Sequence, residues 1–145
     1  MLKKFQENYE RILNCLRENK IDNILTKLIE IDSNLLIKYV NILEYFYDAT
    51  LDLSSNTSPT IHKVIPYKIL LENICKVQLK DEIILLKNNL SKNIKIYMDI
   101  TNFHKIGLLL DPRKKTLKMF DNENDKEQVK NCLFEEMKLY DEQIN

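Results

Sequence analysis

Glycine is almost absent from this chain of 145 residues, because Gly107 is the only one. Sandwiches and barrels need a tight turn about every ten residues, and such turns draw on glycine and proline. One glycine and three prolines therefore argue against an all-β fold. A single glycine also cannot form the glycine-rich loops that cradle phosphates in nucleotide-binding proteins. The sequence predicts an all-α chain without a loop of that kind.

The composition indicates one domain with a real core. The chain is 44% hydrophobic and 30% charged, and its length fits a single unit. We expect residues 1–145 to form one multi-helix bundle of about six or seven helices, with no internal repeat. The N-terminus becomes polar too early for a signal peptide, and no stretch approaches the eighteen or so apolar residues of a membrane span. The prediction is an intracellular chain that does not span a membrane.

Apolar residues recur at three- and four-residue steps along most of the chain, which indicates amphipathic helices. The expected helices cover about residues 2–16, 24–29, 35–53, 61–77, 82–98, 112–120 and 129–140. Asp32 or Ser33 is expected to cap the third helix, and Thr60 the fourth, because their side-chain oxygens can accept from free amides of the first turn. Residues 54–59 are the clearest loop, and Pro66 will kink the fourth helix if it lies in its interior.

Aromatic residues are dense in the third helix and admit two interpretations. Tyr39, Tyr45, Phe46 and Tyr47 could stack on nucleic-acid bases, but their spacing among aliphatic residues favours the core. The residues expected to be buried there are Leu36, Tyr39, Val40, Leu43, Phe46 and Tyr47. Cys75 and Cys132 are likewise expected to be buried thiols.

The histidines and cysteines predict no metal site. The three cysteines lie far apart and form no CxxC pair, and His62 and His104 are isolated and read as residues at the edge of the core. We expect no cofactor, no metal and no catalytic residue.

The string Leu110-Asp111-Pro112-Arg113-Lys114-Lys115 is the most distinctive in the chain. Asp followed by Pro is typical of a helix start, so a short helix is predicted from Pro112 to about Phe120. Asp111 could instead be a metal ligand or a base, but two-metal phosphoryl chemistry needs several converging carboxylates. No second carboxylate is suggested nearby in the sequence, so the capping interpretation is preferred.

The net charge is zero but its distribution is uneven. Residues 1–59 carry 7 basic and 9 acidic side chains, residues 60–118 carry 12 and 5, and residues 119–145 carry 3 and 8. The basic middle could bind phosphates, or it could be a solvated surface that the acidic end neutralises in the fold. If it binds DNA, we expect the phosphate contacts to be Arg113, Lys114, Lys115 and Lys118.

Three segments carry a family resemblance. Residues 43–54, 59–66 and 110–120 read LEYFYDATLDLS, PTIHKVIP and LDPRKKTLKMF. In order and spacing they resemble the "L..F..AT..LS", "PT...V.P" and "LDPR.K…F" segments of hAT superfamily transposases and of the BED-type zinc-finger proteins derived from them. The resemblance covers about residues 35–140, whereas residues 1–34 match poorly.

The resemblance implies that the chain corresponds to the all-helical insertion in the RNase H-like catalytic domain of these transposases. The chain has no BED cysteine–histidine pattern, no β-rich run to supply catalytic aspartates and no tryptophan, so no catalytic residue is carried over. What is implied is a nuclear, non-catalytic relic, not an enzyme, that scaffolds or contacts the DNA backbone. The alternative is a helical protein-interaction or oligomerisation module without nucleic-acid binding, which predicts an exposed apolar patch.

Overall fold

The computed structural model describes residues 2–76, 82–114, 116–120 and 122–144, and these contain helices and no strand. The all-α prediction is confirmed. The eight α-helices of these residues are α1 (Leu2–Glu7), α2 (Tyr9–Glu18), α3 (Asp22–Ile29), α4 (Ser33–Leu53), α5 (Val64–Ile74), α6 (Ile84–Tyr97), α7 (Asn102–Leu110) and α8 (Glu123–Ile144). A single 3-10 turn, Ile61–Lys63, leads directly into α5.

The first predicted helix is divided into α1 and α2 at Asn8. The Asn8 side chain donates to the carbonyl oxygen of Lys4 at 2.8 Å, and such local bonds compete with the helical pattern. In α2, the Tyr9 hydroxyl donates to the carbonyl oxygen of Leu28 at 2.5 Å, which ties α2 to α3. This pair of helices therefore forms a small hairpin, and α1 lies against α4.

Helix α4 begins where the sequence predicts, because the Asp32 carboxylate accepts from the backbone N–H groups of Asn34 at 2.8 Å and Leu35 at 3.3 Å. Its burial differs from the prediction. Val40 is buried as expected, but Tyr47 is 63% exposed, and Tyr45 is exposed as well. The buried positions that the sequence missed are Ile42 and Ala49. Since α4 packs on α1 and on α5, side chains that face neither helix stay in solvent.

Two clusters of buried residues in the described part of the chain share α5. Ala49, Leu71, Cys75 and Ile94 join α4, α5 and α6. Ile65, Leu108, Leu117 and Val129 join α5, α7 and α8. Cys75 and Cys132 are both buried, as the sequence predicted.

Two expected helix starts are corrected. The Thr60 side chain makes no capping hydrogen bond, and the 3-10 turn precedes α5. Pro66 is the third residue of α5, where its missing N–H would have no partner within the helix, so no kink follows. Helix α6 begins at Ile84 rather than at Glu82. The predicted positions Val77 and Asp81 lie outside the described residues.

Candidate functional site

The basic segment after α7 is a series of turns and not a helix. Asp111 is extended, and the backbone N–H groups of Lys114, Leu117 and Phe120 each bond to the carbonyl three residues earlier, at 2.9, 2.9 and 3.0 Å. Leu117 has a left-handed φ of 49°, and its side chain is only 1% exposed. The helix predicted from Pro112 is therefore wrong in the described part of this segment. A right-handed helix excludes the left-handed backbone conformation of Leu117.

Asp111 closes a turn and holds Arg113. Its carboxylate accepts from the Arg113 backbone N–H at 3.0 Å, from Nε at 3.1 Å and from Nη2 at 3.3 Å. The side-chain hydrogen bond from Arg113 lowers the pKa of Asp111 against the opposing effect of burial, and the same bond raises the pKa of Arg113. His62 Nε2 lies 3.9 Å from the Asp111 carboxylate, so this acid stands between two basic groups.

The predicted phosphate contacts that the structure describes, Arg113, Lys114 and Lys118, differ in exposure and in ion pairing. Arg113 has a side chain that is 77% exposed, but its charge is paired with Asp111. Lys114 is half-buried, whereas Lys118 is exposed on the same loop. Lys115 lies outside the described residues. Among the described residues of this loop, exposed Lys118 and the ion-paired Arg113 are the basic groups that a phosphate could reach.

A second polar cluster joins the end of α4 to the start of α5. The Asp52 carboxylate accepts from Lys63 Nζ at 2.6 Å and from the Tyr67 hydroxyl at 2.8 Å. The hydrogen bonds from Lys63 and Tyr67 lower the pKa of Asp52, and the bond to Asp52 raises the pKa of Tyr67. Sequence reasoning missed this cluster, because its members lie on opposite sides of the 54–59 loop and form no local motif. It stabilises the packing of α5 on α4.

An apolar cavity of about 510 Å³ opens between α4, α5 and α6. Its floor is formed by the buried residues Ala49, Leu71 and Ile94, and exposed Tyr97 stands in its wall. A second cavity of about 610 Å³ lies between α1 and α4, where it is lined by apolar and charged side chains in similar number. Both are clefts between packed helices.

The second half of α8, defined as residues 133–142, is largely exposed. Val129 and Cys132, just before it, are buried, and the Cys132 thiol donates to the side-chain oxygen of Asn102 in α7 at 3.4 Å. Beyond Glu136, every side chain through Glu142 is exposed. Phe134 is 60% exposed and Met137 55% exposed. The packing of α8 on the rest of the fold therefore ends near its middle.

These exposed residues form a continuous surface, which we call the α8 apolar face. It consists of the exposed residues Phe134, Met137 and Tyr140 and of half-buried Leu133. Steps of three and four residues place these side chains on one side of a helix. Acidic residues are in excess along the same half of α8, which carries Glu135, Glu136, Asp141 and Glu142 against Lys138. The sequence predicted this helix, but gave no sign that part of its apolar side leaves the core.

Comparison of this chain with protein-family models, with curated proteins and with solved structures found no match. The resemblance to hAT transposases stays a prediction. No helix in the described part of the chain is both long and apolar enough to cross a membrane. Among the described side chains, no group of three or more His, Cys, Asp and Glu residues could hold a metal ion.

Proposed function

We propose that this chain is a non-catalytic helical protein-interaction module, and that its contact surface is the α8 apolar face. The observation that carries the proposal is the uncovered second half of α8. Phe134, Met137 and Tyr140 lie exposed there on one side of the helix, beyond the point where α8 packs on α7. An apolar stripe without an intramolecular neighbour is the usual signature of a partner-binding helix.

The size of this face supports the proposal. Phe and Tyr side chains bury roughly 150–250 Å² each when covered, so the four residues expose roughly 400 Å² together. At about 25 cal/mol per Å², covering that area contributes about 10 kcal/mol before association costs. The loss of translational and rotational freedom on association costs about 4–15 kcal/mol, which is similar to the gain from burial. Stable binding through this face therefore also requires a partner surface of complementary shape and charge.

The polar clusters of the fold argue against catalysis by their two carboxylates. The Asp111 carboxylate is hydrogen-bonded by Arg113, and the Asp52 carboxylate by Lys63 and Tyr67. Both carboxylates therefore stabilise local structure inside the chain. Their pKa values are lowered by these partners. A general base at neutral pH works best with a pKa near 7, and lowered carboxylates are poor candidates for that role.

Site-specific photo-crosslinking tests the proposal. A photoreactive amino acid replaces Met137, and in a matched chain it replaces Leu139, which is 53% exposed but projects from the opposite side of α8. In cells that produce the chain, we expect discrete protein adducts from position 137, and we expect Phe134→Lys in the same chain to remove them. Position 139 should give none. Equal yields at both positions, or no adduct at position 137, would refute the proposal.

Contact with the DNA backbone is the second candidate, and it includes descent from an hAT transposase and a nuclear location. Exposed Lys118, on the same loop as Arg113, is the observation that favours it. An electrophoretic mobility titration with duplex DNA at low salt tests it. Binding that weakens steeply with salt and is lost in Lys118→Glu would support DNA contact. Absence of a shift at low salt would eliminate this candidate.

A further inference from the structure

We propose that the partner of the α8 apolar face is a second copy of this chain, and that the face docks on the outer surface of α6. This inference rests on the proposed function and names its partner. It is drawn from the charge and exposure of these two helices.

Helix α6 has an outer face that mixes apolar and basic side chains. Leu85 is 76% exposed and Ile96 is 56% exposed. They lie eleven residues apart, which is three turns, so both project to the same side of the helix. Lys92 is exposed between them, and Lys95 is exposed beside them. We call these four residues the α6 outer face.

The charges of the two faces are complementary. Helix α6 contains no acidic residue, and two of its three lysines belong to the outer face. Along the second half of α8, Glu136 and Asp141 lie beside the apolar face, whereas Glu135 and Glu142 lie on the opposite side of the helix. Pairing two α8 helices would bring acidic residues together, whereas pairing α8 with α6 brings opposite charges together. The electrostatics therefore select the α6 outer face over another α8.

The area favours a closed pair of chains. One α8–α6 contact covers roughly 400 Å² on each helix when the lysine methylenes are included. The total of roughly 800 Å² is less than a specific interface needs. If each chain places its α8 on the α6 of the other, two equivalent contacts cover roughly 1,600 Å², which is a standard interface. A symmetric exchange of this kind also prevents open-ended assembly.

Sedimentation velocity on the full chain tests the inference, with light scattering as a second measure of mass. We expect a reversible dimer whose dissociation constant rises with salt, because charge pairs near a surface are screened. Met137→Lys places a cation against the lysines of α6, and Lys92→Glu/Lys95→Glu places acids against α8. Each variant alone should dissociate at least about tenfold more readily than the unmodified chain.

Mixing the two variants separates the proposed pairing from any other. In the mixed pair, one contact has both original faces, and in the other the introduced lysine meets the introduced glutamates. Dimerisation should therefore return on mixing. Leu139→Lys, on the opposite side of α8, is the matched control and should dimerise as the unmodified chain does. Circular dichroism checks folding, and Tyr140→Lys replaces Met137→Lys if the latter does not fold.

Three results would overturn the inference. One is a chain that stays monomeric at all concentrations, and another is a lysine double variant that dimerises normally. The third is a mixture that does not recover. The proposed function is judged separately by the Met137 crosslink, since an adduct with a different protein would keep the interaction module while excluding the second copy. Absence of any adduct would remove both.

Discussion

Gly107→Ala should destabilise this chain, although the same change stabilises an ordinary helix. Gly107 lies inside α7, and a Cβ added there would stand 2.7 Å from Cγ2 of Ile61 and 3.4 Å from the backbone nitrogen of His62. Carbon atoms pack at about 3.5–4.0 Å, so the overlap with Ile61 is about 1 Å. Gly107 is thus needed for the close approach of α7 to the 3-10 turn and not for an unusual φ.

The expected magnitude follows from two opposing effects. Alanine in a helix interior is about 1 kcal/mol more favourable than glycine. Overpacking costs about 1–3 kcal/mol, and Ile61 is β-branched, so its methyl cannot rotate away freely. Gly107→Ala should therefore lower the free energy of unfolding by about 1 kcal/mol.

A double-mutant cycle isolates this contact. In an Ile61→Ala background, both contacting γ-carbons are gone, so Gly107→Ala should raise the free energy of unfolding by up to about 1 kcal/mol. The coupling between the two positions should thus be about 2 kcal/mol. Urea unfolding of the four chains, followed by far-ultraviolet circular dichroism, measures it. Additivity within about 0.5 kcal/mol would refute the reasoning, because it would mean that the two residues do not touch.

Three further predictions concern single positions. Leu117→Ala should lower the free energy of unfolding by about 3 kcal/mol, and in urea unfolding Leu117→Gly should be no worse, because glycine relieves about 1 kcal/mol of left-handed strain. Since Arg113 lowers the pKa of Asp111, ionised Asp111 stabilises the fold above about pH 4, the ordinary Asp range. The free energy of unfolding of the native chain should therefore exceed that of Asp111→Asn by its largest amount at neutral pH. This difference should shrink as the pH falls below about 4. Asp32→Ala should lower the free energy of unfolding, measured by thermal unfolding, by about 1 kcal/mol through loss of the α4 cap. Equal losses in Asp32→Ala and Ser33→Ala would contradict the assignment of the cap to Asp32.

Local signals in the sequence were sufficient for most helices. The cap of α4 depends on a side chain and two amides within three residues, so spacing reduced the candidates to Asp32 and Ser33, and the structure selects Asp32. The burial of Cys75 and Cys132 followed from their place on apolar stripes. These features are decided by neighbours in the chain, which a sequence displays directly.

The Asp111–Pro112 pair shows where local reasoning was insufficient. Asp-Pro favours a helix start, yet the hydrogen bonds from Arg113 and the burial of Leu117 produce linked turns. Leu117 packs with Ile65, Leu108 and Val129, which belong to three different helices. The free energy of burying a leucine, about 2–3 kcal/mol, exceeds the fraction of a kcal/mol by which local propensity favours one conformation.

The sequence by itself determined the all-α class, since a chain with one glycine and continuous three-four periodicity has few other ways to cover its apolar residues. Only the tertiary structure decided which stripes are covered. Val129 and Tyr140 lie on the same helix, yet one packs against α5 and α7 and the other faces solvent. Periodicity records that a helix has an apolar side. Whether that side meets a neighbour depends on where the other helices end, and no local pattern contains that information.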